Sequence, residues 1–163
     1  MISVITMMGV SGCGKTTIGN LLADQLGWQF IESDDFHSEA DIQKMSSGIP
    51  LTDADRWPWL ERLNSLLREE INHGQQIVLS CSALKRSYRD VLYSGIEDGV
   101  YVYLKGSYDL IRERMQQREH FMKSDMLLSQ FDALEEPQDA VVIDIRLSED
   151  EIINQIMSKL TRE

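Results

Sequence analysis

The chain has 163 residues and a mass of 18.7 kDa, with 16 Lys and Arg against 27 Asp and Glu, a net charge of −11 and a pI near 4.7. A chain of this length buries roughly 70% of its unfolded surface, so one domain can fold without disulfides or metal. The negative field argues against nucleic acid and anionic lipid as partners.

In chain order, residues 3–8 form a short apolar run ending in Gly9, which predicts a buried strand. Residues 15–26 carry Ile18, Leu21, Leu22 and Leu26 at helical spacing, with Gly27 as the stop. A brief strand at 29–32 precedes Ser38-Glu-Ala-Asp41, a capping box with Asp in place of Glu, which opens a short helix ending near Gly48-Ile-Pro50. The next helix is predicted at about 55–73, with Leu60, Leu63, Leu66, Leu67 and Ile71 on one face, Asp53 or Thr52 as its cap and Pro58 in its first turn. Strands at 76–81 and 100–105 flank a helix at about 85–93. Ser107 caps a helix reaching about Arg118, and a polar stretch leads to an apolar-faced segment at 126–134. A fifth strand at 140–145 and a last helix opened by Ser148-Glu-Asp-Glu151, a full capping box, complete the chain. The alternation predicts one α/β domain over 1–163, with a mostly parallel sheet covered by helices on both faces and ligands at the carboxyl ends of the strands.

Two cysteines, Cys13 and Cys81, are too few for a disulfide framework and point to a reducing compartment. The start has no basic leader, and no apolar run approaches the roughly 18 residues that span a bilayer, so the reading is cytoplasmic.

Gly9-Val10-Ser11-Gly12-Cys13-Gly14-Lys15-Thr16 matches the G-x-x-x-x-G-K-[ST] phosphate loop, and it lies between a predicted strand and a predicted helix as its mechanism requires. Glycines let successive N–H groups converge on phosphate oxygens, and the following helix, through Thr17, adds its positive end. Lys15 would reach the β/γ phosphates and Thr16 would offer a hydroxyl to Mg²⁺, so ATP and Mg²⁺ are expected. Directly after the second strand comes Glu32-Ser33-Asp34-Asp35-Phe36-His37. A carboxylate there can orient or accept the proton of an attacking hydroxyl, or hold Mg²⁺, although strand-end carboxylates also serve as plain turn residues. With the phosphate loop, Asp34 favours phosphoryl transfer to a small hydroxylated acceptor.

These residues carry a resemblance. The stretches 8–16, Lys44-Met-Ser-Ser-Gly-Ile-Pro-Leu51, Asp53-Ala-Asp-Arg-Trp-Pro-Trp-Leu60, Cys81-Ser-Ala-Leu-Lys-Arg-Ser-Tyr-Arg-Asp90, Tyr103-Leu-Lys-Gly106, His120-Phe-Met122 and Leu127-Leu-Ser-Gln-Phe-Asp-Ala-Leu-Glu135 resemble, in order, the small P-loop gluconokinases, relatives of shikimate and nucleoside-monophosphate kinases. The resemblance implies a five-stranded parallel sheet of nucleoside-monophosphate-kinase type with a small lid at about 118–126. It also implies ATP-dependent phosphorylation of D-gluconate at its 6-hydroxyl, a place in gluconate catabolism and a homodimer. Some positions depart from the family pattern. The usual Asp-Gly-Asp-x-Leu-His-Pro reads Glu32-Ser-Asp-Asp-Phe-His-Ser38, the Asn that follows is Asp41, and the lid stretch at Arg118 is about one residue short.

The expected roles follow. Lys15, Asp34 and Arg118 are the catalytic set, with Asp34 orienting the acceptor and Arg118 closing from the lid. Arg114 lies four residues before Arg118 on one helix face, and both are read as ATP-binding cations or as partners of the helix dipole. Thr16 and Glu32 are the candidate Mg²⁺ residues. His37, on the same rim as Asp34, would meet sugar-acid hydroxyls. Arg56 would grip the substrate carboxylate or pair with Asp53, while Lys85 and Arg89, four apart, would hold that carboxylate or serve as surface charge. Trp57, Trp59 and Cys81 are read as packing. A kinase for another sugar acid or shikimate, and a nucleotide-binding regulator without turnover, are the alternatives. Residues 85–123 hold eight cations and six acids, a net of +2, against −13 for the remainder, so the cationic share falls where phosphate and carboxylate are expected.

Overall fold

A computed structural model of the protein describes residues 1–117 and 124–162. Its elements run β1 (Val4–Met8), α1 (Lys15–Leu26), β2 (Gln29–Glu32), α2 (Glu39–Ser46), α3 (Asp53–Asn72), β3 (Ile77–Ser80), α4 (Arg86–Leu92), β4 (Gly99–Lys105), α5 (Tyr108–Gln116), α6 (Ser124–Ala133), β5 (Val141–Asp144) and α7 (Glu149–Leu160). All four strand pairings are parallel and the order across the sheet is β2-β3-β1-β4-β5. The strand that feeds the phosphate loop is therefore central, with the end of β3 beside it and the end of β2 one strand further out. In the register Met7 lies opposite Ser80 and Ser80 opposite Glu32.

Period-two alternation sends the residues of β1 to opposite faces. Ile5 and Met7 enter one core with Ile18 and Leu22 of α1, Ile111 of α5 and Ile152, Ile153 and Ile156 of α7. Val4 and Met8 enter the other with Leu60, Leu63 and Leu67 of α3 and Leu92 of α4. Each fully buried Leu or Ile contributes about 1.5–3 kcal/mol of transfer free energy, so both helical layers are firmly seated. Among the described residues no helix is long and apolar enough to cross a membrane.

Three helix starts differ from the sequence reading. Thr52 caps α3, with a complete capping box: its Oγ1 accepts from Asp55 N at 3.1 Å, and its own N–H donates to Asp55 Oδ2 at 2.9 Å. The helix thus begins two residues earlier than expected, and Pro58 falls in the second turn rather than the first, leaving the Ala54 carbonyl without a helical donor. Ser38 accepts from Asp41 N at 3.2 Å, but the Asp41 carboxylate faces His37 instead of closing the box. Ser148 likewise accepts from Glu151 N, while the Glu151 carboxylate returns to the Ser148 hydroxyl rather than to the backbone.

Candidate active site

The turn from β1 to α1 is built from backbone. Gly9 has φ +143°, and a Cβ there would stand 2.8 Å from Cys13 Sγ and 3.0 Å from the Leu104 carbonyl. Gly12 has φ +83°, with Met115 Cγ 2.7 Å from where its Cβ would be. Only glycine fits either place. Gly14 precedes α1 in a left-handed conformation and brings no capping side chain, so the first N–H groups of α1 are left available to an anion. Lys15 Nζ donates to the Gly9 and Val10 carbonyls at 3.1 and 3.0 Å. Gln130 of α6 reaches over the loop: its Oε1 accepts from Ser11 N at 2.7 Å, and its Nε2 donates to Ser11 Oγ at 3.0 Å. Cys13 is buried and fills the space beside Gly9.

A cavity of about 480 Å³ opens from this loop. Ser11, Gly12, Gly14, Lys15, Thr16 and Thr17 of the loop line it together with Glu32, Asp34, His37, Arg56, Trp59 and Tyr88. Thr16 Oγ1 donates to Glu32 Oε2 at 2.6 Å, which brings the two candidate metal residues together. A hydroxyl and a carboxylate beside a phosphate loop are the hard oxygen donors that Mg²⁺ takes, so the residues fit that ion.

A single-turn 3-10 helix, Ser33–Phe36, follows β2 and sets Asp34 exposed at the rim. His37 Nε2 lies 3.5 Å from Asp34 Oδ1. The hydrogen-bonding contact with His37 holds the Asp34 carboxyl below the usual carboxylate range, against the opposing effect of desolvation and with the His37 and Lys15 charges adding. The His37 ring itself does not sit on the rim. It is 4% exposed and stacks on Trp59 with ring centroids 4.2 Å apart. Trp59 Nε1 in turn donates to the Ser33 carbonyl at 2.9 Å.

The three cations expected to compete for a substrate carboxylate are treated very differently. Lys85 Nζ is 3.2 Å from Asp53 Oδ1 and does not line the cavity. Arg89 is buried, and its guanidinium is spent on three carbonyls: Nη1 donates to Ala83 O and Leu84 O at 2.7 and 3.2 Å, and Nη2 to Glu135 O at 2.9 Å. Lys85 and Arg89 therefore share no substrate-facing helix surface, because Lys85 is the residue before α4 and Arg89 turns back beneath it. Arg56 lines the cavity, and its partner is Tyr88 rather than Asp53: Nη1 donates to the Tyr88 oxygen at 3.1 Å. The Tyr88 hydroxyl donates to Asp53, and both Arg56 and Lys85 lie over its ring. Burial, then the Asp53 contact, pushes the Tyr88 phenol up to about 12. The phenol therefore stays a neutral donor at ordinary pH.

Arg114 Nη2 donates to the Ile145 carbonyl at 2.8 Å, which ties α5 to the segment after β5 and keeps it out of the cavity lining. Arg118, His120 and most of the lid expected at about 118–126 lie outside the described residues. Cys81 is core, and burial pushes its thiol up to about 11.

Sequence reasoning missed Tyr88, the placement of Trp59 under His37, and Gln130. A buried Tyr on the first turn of α4 and a Gln in an apolar-faced helix carry no periodic signal, and only the fold brings them to the cavity. Among the described residues, two buried side-chain atoms have no hydrogen-bond partner, His37 Nδ1 and Ser80 Oγ, and both residues line this cavity.

Comparison with known proteins agrees with this arrangement. Residues 4–137 match the AAA domain family. The chain is 42% identical to the probable gluconokinase of Mus musculus, covering 96% of this chain and 97% of that protein. It is 48% identical to the thermosensitive gluconokinase of Escherichia coli, over 85% of this chain and 77% of the relative. The crystal structure of a gluconokinase from Sinorhizobium meliloti superposes with a TM-score of 0.90 at 42% identity, covering 98% of this chain and 92% of that one. A P-loop fold, a phosphate loop that shares one cavity with carboxylates and this extent of identity lead to one conclusion: the chain belongs to the gluconokinase family and is a P-loop kinase.

Proposed function

We propose that this enzyme transfers the γ-phosphoryl group of ATP to the 6-hydroxyl of D-gluconate, giving 6-phospho-D-gluconate and ADP. The observation that supports this best is one cavity lined by Lys15 and Thr16 together with Asp34 and Arg56. The phosphate-loop N–H groups and Lys15 bind and neutralise the phosphates, and transfer then needs positioning more than covalent chemistry. Asp34, a carboxylate at ordinary pH and held so by His37, orients the attacking hydroxyl and accepts its proton as transfer proceeds. Thr16 and Glu32 would hold Mg²⁺, which supplies charge neutralisation on the phosphate oxygens. Arg56 is the cation left to meet the gluconate carboxylate, since Lys85 is engaged by Asp53 and Arg89 by carbonyls. Arg118 completes the ATP side from the lid. The protein works in the cytoplasm as a homodimer and serves gluconate catabolism.

The test is ADP formation measured with gluconate, other aldonates and shikimate, with the product's phosphate position read by NMR. Gluconate is expected to be preferred and the phosphate to sit on C6; equal rates with all acceptors would overturn the assignment. Asp34→Ala should lower kcat by about 10²–10⁴-fold and leave nucleotide binding in place. Near-normal turnover of that variant would remove Asp34 from its role.

A further inference from the structure

We propose that His37 is a positioning residue that holds the Asp34 carboxylate toward the acceptor, and not a ligand of the substrate; the proposal rests on the role given to Asp34 above. The side chains of the two residues are opposites. The Asp34 side chain is 75% exposed, while the imidazole next to it is 4% exposed. An aspartate that exposed samples its rotamers freely unless something restrains it. The restraint within reach is His37 Nε2, 3.5 Å from Oδ1.

The imidazole is itself fixed on its other sides. One face lies on Trp59, at 4.2 Å between centroids and 16° between planes. Trp59 cannot swing away, because its Nε1 donates to the Ser33 carbonyl at the start of the same turn that carries Asp34. The His37 backbone N–H donates to the Asp34 carbonyl at 3.3 Å, and Arg62 Nη2 of α3 donates to the Phe36 carbonyl at 3.0 Å, so the turn is tied down at both ends. The far ring nitrogen, Nδ1, is buried without a hydrogen bond, and the group that faces it is the Asp41 carboxylate at 4.0 Å, on a buried residue of α2. Both ring nitrogens thus face carboxylates and one ring face is covered. A substrate hydroxyl would have to displace one of these neighbours to reach either nitrogen. What the arrangement does achieve is to fix the direction of one exposed carboxylate from a rigid helix, as a preorganised site requires.

The experiment compares Asp34→Ala, His37→Phe and His37→Gln in steady-state kinetics with gluconate and MgATP. His37→Phe keeps a ring on Trp59 and removes the nitrogen. Its kcat should fall about 100-fold, the cost of a misplaced reacting group, with KM for gluconate and ATP within about twofold of the parent. His37→Gln returns an N–H donor to the same reach and should recover most of that loss. A kcat for His37→Phe near the parent, with Asp34→Ala inactive, overturns the positioning role and leaves Asp34 in place. A raised KM for gluconate at unchanged kcat also overturns it, since that marks a substrate ligand. An active Asp34→Ala variant is the separate failure of the underlying assignment. A measurement on the parent ring guards against misfolding of the His37 variants: Asp34→Asn should shift the His37 side-chain ¹⁵N resonances, and unchanged resonances overturn the proposal.

Discussion

The two sets of residues that line the cavity are made of different material. In the phosphate loop the groups that matter are main-chain: glycine N–H groups, the start of α1, and the Gly9 and Val10 carbonyls on which Lys15 rests. Around Asp34 and Arg56 they are side chains from three separate segments, 33–37, 53–59 and the start of α4, and most of their charge is already taken up by one another. Backbone sites tolerate little, because geometry is set by φ and by the absence of a Cβ. Side-chain sites grade the effect of each residue by what else holds it.

Gly9→Ala should have the largest effect, because a methyl group there meets Cys13 Sγ and the Leu104 carbonyl at a φ that alanine rarely adopts. Loss of nucleotide binding by calorimetry is expected, and normal affinity would show that the loop is less constrained than its geometry states. Arg56→Ala against Lys85→Ala measures the grading among the side chains. Losing a charged hydrogen-bonding contact to a carboxylate costs about 1.5–3 kcal/mol, so KM for gluconate should rise about 10–100-fold for Arg56→Ala with KM for ATP unchanged. Lys85→Ala, whose charge Asp53 already occupies, should stay within about threefold, and the reverse ranking would reassign the carboxylate grip. The smallest effect concerns α3, which carries Arg56 into place. The Thr52 backbone bond, then Lys44, depresses Asp55 from 3.8 to about 2. A depressed carboxylate contributes stability that is present above about pH 4 and lost as pH falls through about 2. Asp55→Asn should therefore flatten the acid limb of the thermal unfolding profile between those values, and an unaltered limb would deny the box any part in it.

The same contrast decides what is legible in the amino-acid sequence. The phosphate loop is eight consecutive residues, so its chemistry is visible as spacing, and the strand–helix alternation around it is enough to predict the layering. The start of α3 shifted because Thr52 and Asp55 form a local box that competes with Pro58 for the first turn. Among the side chains, Asp34 could be named from its place after β2, but the burial of His37 could not, because Trp59 arrives from a helix 22 positions away. Arg56, Lys85 and Arg89 look equivalent as letters. They become unequal only when Asp53, Tyr88 and the carbonyls of 83, 84 and 135 are placed among them.

Arg89 shows how much one such placement controls. Ala83, whose carbonyl it takes, has φ +46°, in the left-handed region that costs a non-glycine residue about 1 kcal/mol or more. The same guanidinium holds Leu84 O in the wall of the cavity and Glu135 O just beyond α6, the helix whose Gln130 covers the phosphate loop. One planar fork is thus a rivet between the cavity wall and the segment that leaves α6. A lysine there would keep the charge and lose the joint, freeing the segment after α6 from the cavity wall.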